Sequence, residues 1–208
     1  FFEALFGGGL GGGFGQAGFG GIDETMFRQA APAQVAELAI DLEEAYHGGT
    51  RTVTMETAVP AGHGRLRRQP RSFNVKLPAG ITDGQRIRLS GQTAGSGDVY
   101  LDVRIRPHPR FRLEGRDVHL ELPLAPWEAA LGTRVTAPTL GAPVEVRVPP
   151  GTQSGGKLRL KGRGLPGNPP GDQYLIARIV TPPAQDEAQR RLYERMAQEM
   201  AFDPRAGW

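Results

Sequence analysis

Residues 73–105, FNVKLPAGITDGQRIRLSGQTAGSGDVYLDVRI, and residues 144–179, VEVRVPPGTQSGGKLRLKGRGLPGNPPGDQYLIARI, are two renderings of one pattern. At an offset of 71, Val75, Leu77, Pro78, Gly80, Gly84, Arg86, Arg88, Leu89 and Gly91 fall on Val146, Val148, Pro149, Gly151, Gly155, Lys157, Arg159, Leu160 and Gly162. A three-residue insertion then moves the offset to 74, where Gly97, Asp98, Tyr100 and Leu101 meet Gly171, Asp172, Tyr174 and Leu175. Upstream, LEEAYHGGTRTVT at 42–54 matches PWEAALGTRVTAP at 126–138 with a one-residue gap near the glycines. Two copies of roughly 70 residues in a chain of 208 decide for two like domains in tandem over one large one. Domains this small bury a modest fraction of their surface and often lean on a partner, so size alone points toward an oligomer.

Both copies read as β-structure. Phe73, Val75 and Leu77 alternate before the Pro78–Gly80 turn, Ile87 and Leu89 alternate before Gly91, and Val99, Leu101, Val103 and Ile105 continue the period of two. In the second copy Val118, Leu120, Leu122 and Leu124, then Val144, Val146 and Val148, then Leu158 and Leu160, then Leu175, Ala177 and Ile179 do the same. Near the start of the first copy, Ala36, Leu38 and Ile40 share a strand face. A helical turn follows over Leu42–His47, with Asp41 as N-cap, Glu43 and Glu44 in the first turn and Gly48 and Gly49 ending it. Thr50–Met55 is then a β-branched strand with Val53 and Met55 on one side. The expected fold is mainly β: two tandem homologous small β-sandwich or barrel domains, each with a short helix.

Three segments lie outside that repeat. Residues 7–21 are mostly glycine with Phe14 and Phe19 set among them, a mobile tether whose aromatics either act as stickers for a partner or are incidental. Pro60–Ser72 carries Arg65, Arg67, Arg68 and Arg71 between Gly and Pro and reads as an exposed basic loop, either a solvated connection or a phosphate contact. After Pro182 and Pro183 the period turns helical, with Ala188, Leu192, Met196 and Met200 every fourth residue. That narrow stripe packs on the second domain or on the same helix of a second chain. The organisation read from these boundaries is a Gly/Phe segment over 1–21, a linker over 22–34, β-domains over 35–112 and 113–183, and a helix and tail over 184–208. The abrupt apolar opening, Phe1, Phe2, Leu5 and Phe6, leads us to expect a longer protein with a further N-terminal domain.

No chemistry-bearing constellation stands out. The chain has no cysteine, which removes disulfides and thiolate metal sites and fits a reducing compartment; with no signal peptide or membrane-length apolar run, the expected location is cytoplasmic. A net charge of +3 gives no whole-molecule argument for nucleic acid. His47, His63, His108 and His119 show no metal-ligand spacing. Glu43 and Glu44 are adjacent on a helix and do not face one site. Gly162, Gly164 and Gly167 spell GxGxxG after a strand, but Asn168, Pro169 and Pro170 cannot open the helix that a dinucleotide site needs. Neither an enzyme nor a cofactor is expected.

The ordered stretches LEEAYHGGTRTVTM, VKLPAGITDGQRIRLSGQ, GDVYLDVRIRPHPRF and LPLAPWEAALGT, after a Gly/Phe-rich region, resemble the C-terminal part of DnaJ-type J-domain co-chaperones. The zinc-binding cysteine module of one class is absent, so the chain is similar to the zinc-free class that includes bacterial curved-DNA-binding proteins. His108-Pro109-Arg110 lacks the aspartate of the J-domain motif. The resemblance implies a binder of unfolded polypeptide that delivers clients to a DnaK-type chaperone. By position it implies a client groove of Leu38, Val53, Met55 and Phe111, against the alternative that these are ordinary core residues. It further implies that Arg51 holds the acidic tail of the partner chaperone, and that the C-terminal helix makes a homodimer with Leu192 and Met196 at the seam. DNA binding through Arg65, Arg67, Arg68 and Arg71 is the competing function.

Overall fold

The computed structural model describes residues 34–60, 66–89 and 99–207. The Gly/Phe segment, linker residues 22–33 and Arg65 lie outside them. The first half runs β1 (Gln34–Ile40), α1 (Leu42–His47), β2 (Gly49–Pro60), β3 (Leu66–Leu77), β4 (Arg86–Leu89) and β5 (Val99–Ile105). The second runs β6 (Phe111–Glu114), β7 (Asp117–Leu124), α2 (Pro126–Leu131), β8 (Thr133–Ala137), β9 (Val144–Val148), β10 (Lys157–Leu160) and β11 (Gln173–Ile179), and α3 (Glu187–Glu199) closes the chain. The sheets are β1-β5-β4 and β10-β11-β7-β6, accompanied by the hairpins β2-β3 and β8-β9. The protein is mainly β, and among the described residues no barrel closes. Inward side chains such as Phe73, Val75 and Leu77 of β3 share the core with Leu38 and Ile40 of β1 and Val99, Leu101 and Val103 of β5.

The sequence repeat recurs in the backbone. β5 runs parallel to β1 with Ile40 opposite Ile105, and β11 runs parallel to β7 with Leu124 opposite Ile179. The Gly84 N–H donates to the Val103 carbonyl at 2.9 Å, and the Gly155 N–H to the Ala177 carbonyl at 2.8 Å. Just past each parallel pair, Arg106 N–H reaches the Ile40 carbonyl and Val180 N–H the Leu124 carbonyl, both at 2.9 Å. Gly80 and Gly151 take φ of 77° and 75°, a left-handed turn that L side chains resist.

Strand pairing corrects the upstream alignment. Gly49 lies opposite Leu77 and Thr133 opposite Val148, while Gly48 and Gly132 both end their helices with positive φ. No gap is therefore needed at the glycines, and Arg51 corresponds to Val135 rather than to Arg134. Matching letters favoured the TR dipeptides; hydrogen-bond register decides otherwise.

The hairpins differ in length, 12 residues per arm for β2-β3 and 5 for β8-β9. Here the expectation of a basic loop is corrected: Arg67, Arg68 and Arg71 lie in β3, opposite Val59, Ala58 and Met55. The extension escapes a sequence reading because no alternating apolar face accompanies it. Thr52 bonds Asn74 at 2.9 Å and Thr54 bonds Ser72 at 3.0 Å along its outer side. Pro70 is accommodated because, among the described residues, β3 pairs with a strand along one edge only.

The halves meet through Arg116 and a glycine-rich loop. The Arg116 guanidinium donates to the Pro166 carbonyl at 2.5 Å and to the Gly80 carbonyl at 3.2 Å, and its own carbonyl accepts the Leu165 N–H at 2.8 Å. A side chain at Gly164, Gly167 or Gly171 would collide with Arg116. Two glycines of the GxGxxG, Gly164 and Gly167, thus make room for an arginine of the same chain. A second approach sets Tyr46 of α1 against Gly141 in the β8-β9 connection.

α3 begins at Asp186, whose carboxylate accepts the Gln189 N–H at 2.8 Å, and Tyr193 holds it to the preceding segment by donating to the Pro182 carbonyl at 2.6 Å. None of its residues is buried. Among the described residues, no helix is long and apolar enough to cross a membrane.

Candidate functional site

β2 hydrogen-bonds to β3 along one edge, and among the described residues its other edge has no strand partner. Along it Arg51, Val53 and Met55 alternate on the core-facing side, each half-buried, while Thr50, Thr52, Thr54 and Glu56 face solvent. Val53 lies opposite buried Phe73 and Met55 opposite Arg71. Toward the base of the hairpin, Arg51 Nη1 donates to Glu44 Oε2 at 2.8 Å and to the Ala39 carbonyl at 3.0 Å, tying β2 to α1 and β1. Glu44 is itself placed by accepting the Asp41 N–H at 2.8 Å at the start of α1. The result is an open strand edge with accessible apolar atoms beside it.

The four candidate groove residues do not share one surface. Leu38 on β1 is 5% exposed and Phe111 on β6 is 6% exposed, so both are core. Phe111 pairs with Leu120 in the second sheet, and it lines grooves of about 880 and 510 Å³ that include neither Val53 nor Met55. His108 anchors that corner: its Nδ1 accepts the Phe111 N–H at 3.0 Å, and its Nε2 lies 3.0 Å from Glu43 of α1. Of the four, only Val53 and Met55 combine partial access with a strand edge that has no partner among the described residues.

Arg67 and Arg68 are exposed on the hairpin extension and Arg71 is half-buried. Leu192 and Met196 line a groove of about 350 Å³ with Trp127, Pro182, Pro183 and Tyr193, and Leu192 is 63% exposed. Sequence reasoning did not single out Trp127; an exposed tryptophan on a helix of a β-domain was the available signal. Among the described residues no group of His, Asp or Glu is arranged to hold a metal ion.

Residues 34–182 match the family model of the DnaJ C terminal domain. The chain belongs to that family. It is 46% identical over 212 residues to a curved DNA-binding protein of Coxiella burnetii, covering 99% of this chain and 66% of the relative. A curved DNA-binding protein of Pseudomonas syringae pv. tomato is 42% identical over 217 residues, with 100% of this chain and 67% of the relative covered. One of Serratia proteamaculans is 44% identical over 181 residues, 83% of this chain and 59% of that protein. The DnaJ C-terminal domain chain thus spans about two thirds of the length of its first two relatives.

Proposed function

We propose that this chain is the polypeptide-holding part of a DnaJ-type co-chaperone, taking extended segments of unfolded proteins and passing them to a DnaK-type chaperone in the cytoplasm. The observation that carries this reading is the open edge of β2 beside half-buried Val53 and Met55. An extended segment adding to that edge satisfies its main-chain groups, and alternate side chains pack on the two apolar residues. Nothing in this activity needs a cofactor or an enzymatic step. Arg51 is the candidate contact for an acidic tail of the partner. Among the described residues both of its bonds run from Nη1, so other guanidinium donors can face a further carboxylate. A homodimer through α3 places two such edges in one particle and raises client affinity by avidity.

The deciding experiment is suppression of aggregation of a chemically unfolded model protein by this chain and by Met55→Asp, with circular dichroism confirming that both are folded. Loss of holding in a folded variant supports the reading. Equal holding by both overturns it.

A second reading, DNA binding, is favoured by the exposed Arg67 and Arg68 on the hairpin extension and by the curved DNA-binding protein names of the relatives. Phosphate contact weakens steeply with salt, whereas apolar holding does not.

A further inference from the structure

Register places Val135 on β8 where the first half has Arg51 on β2, Glu128 where it has Glu44, and Pro123 where it has Ala39. In the first half, the Arg51 guanidinium fills the space between hairpin and sheet by donating to Glu44 and to the Ala39 carbonyl. Glu128 is held like its counterpart, accepting the Ala125 N–H at 2.8 Å as Glu44 accepts that of Asp41 at 2.8 Å. Val135 supplies no charge to answer it. Among the described residues, no ion pair forms at Glu128, whereas the nearby Arg178 and Arg112 are taken by Glu121 at 3.2 Å and Glu114 at 2.8 Å. Arg110, on the rim, is exposed.

The space that Arg51 fills in one half is open in the other. Val135, Glu128 and Pro123 line the groove of about 880 Å³, with Phe111, Leu122 and Ile176 as its apolar lining. β8 pairs only with β9 among the described residues, so a strand edge runs beside it. A partly buried carboxylate without a counter-charge, in an apolar groove next to an open edge, selects a cation carried on an extended chain.

We propose that the second half binds an extended polypeptide segment through an arginine or lysine side chain, whose head takes at Glu128 the place of the Arg51 guanidinium at Glu44. This extends the polypeptide-holding reading to a second groove and names its side-chain preference. Flanking apolar residues of the segment rest on the groove lining.

The test uses a fluorescein-labelled heptapeptide with a central arginine between leucines and valines, and its neutral twin with citrulline, both titrated with the full chain by fluorescence anisotropy. The arginine peptide is expected to bind about tenfold tighter than its twin, the gain of one charge-assisted contact. Glu128→Gln keeps an acceptor for the Ala125 N–H and removes the preference. Val135→Arg, the side chain that the first half already carries there, closes the site and weakens the arginine peptide about tenfold. Equal binding of the twins, or a preference that survives both substitutions, overturns the proposal. Binding of both peptides that is lost in Met55→Asp alone sinks this proposal and leaves the β2 groove standing. A preference lost in Glu128→Gln but unaffected by Met55→Asp supports it whatever becomes of the β2 groove.

Discussion

A Cβ placed on Gly80 would lie 1.9 Å from the carbonyl oxygen of Pro166. The turn of the first half thus touches the glycine-rich loop of the second backbone to backbone, and Arg116 bonds both carbonyls at that point. Gly84 and Gly151, with φ of 77° and 75°, share the left-handed backbone of Gly80, but a Cβ on either would meet nothing within 4 Å.

Alanine at these three glycines therefore separates backbone strain from contact between the halves. Gly84→Ala and Gly151→Ala are expected to cost about 1 kcal/mol each, the penalty of a left-handed conformation. Gly80→Ala should cost about 3 kcal/mol or more, because a fixed carbonyl has to move as well. Urea unfolding of the three variants measures the difference; equal costs would show that the Gly80 contact yields freely.

Asp172 leads to a prediction in acid. Its carboxyl is held below the ordinary aspartate range by the Gly162 N–H at 2.6 Å and then by Arg159, whose Nε donates at 2.6 Å. A folded-state pKa lower than the unfolded one, about 3.9, means stability that is present above that value and lost as pH falls through the folded pKa. Asp172→Asn is expected to be less stable than the parent at pH 7 and to show a flatter loss below about pH 4. Thermal melts across that range check it, and parallel curves for the two proteins would remove Asp172 from the account.

Much of this was readable in the letters, for a specific reason. Gly80 and Gly151, or Gly84 and Gly155, are required by backbone angles, so identity at fixed spacing reports geometry directly, and β4 and β10 fall at the offset of 71 that the glycines set. What depends on distant partners was not readable. Arg116 finds its glycine cradle some 50 residues away at Pro166, and no local pattern announces it. Leu38 and Val53 look alike as strand residues, yet one is buried and the other half-exposed, because burial depends on which edge a neighbouring strand covers. Arg51 was legible as a basic residue on a strand; that it fills a space left open at Val135 emerges only from hydrogen-bond register.

The α3 face gives a prediction about assembly. Leu192, Met196 and Met200 are 63%, 49% and 64% exposed, and Trp127 at 58% lines the same groove as the first two. Leu192→Glu puts a charge into that apolar patch without touching the Asp186 cap or the Tyr193 bond to Pro182. The expected outcome is a fall from dimer to monomer mass by light scattering at micromolar concentration with helical content unchanged. A parent protein that is already monomeric would remove the seam.

The hairpin arginines provide the last prediction. Arg67 and Arg68 are successive residues of β3 and so project from opposite faces of the hairpin extension. A duplex lying along one face meets one of them, whereas a hairpin entering edge-on between two phosphate rows meets both. If DNA is a ligand, binding to a labelled duplex should weaken steeply between about 50 and 200 mM salt, and each phosphate contact removed should lower the log–log slope by about 1. Equal loss of slope in Arg67→Gln and Arg68→Gln indicates edge-on entry, and loss in one alone indicates binding along a face. A slope indifferent to salt in the parent protein would exclude both modes, leaving the hairpin extension to lengthen the open edge of β2.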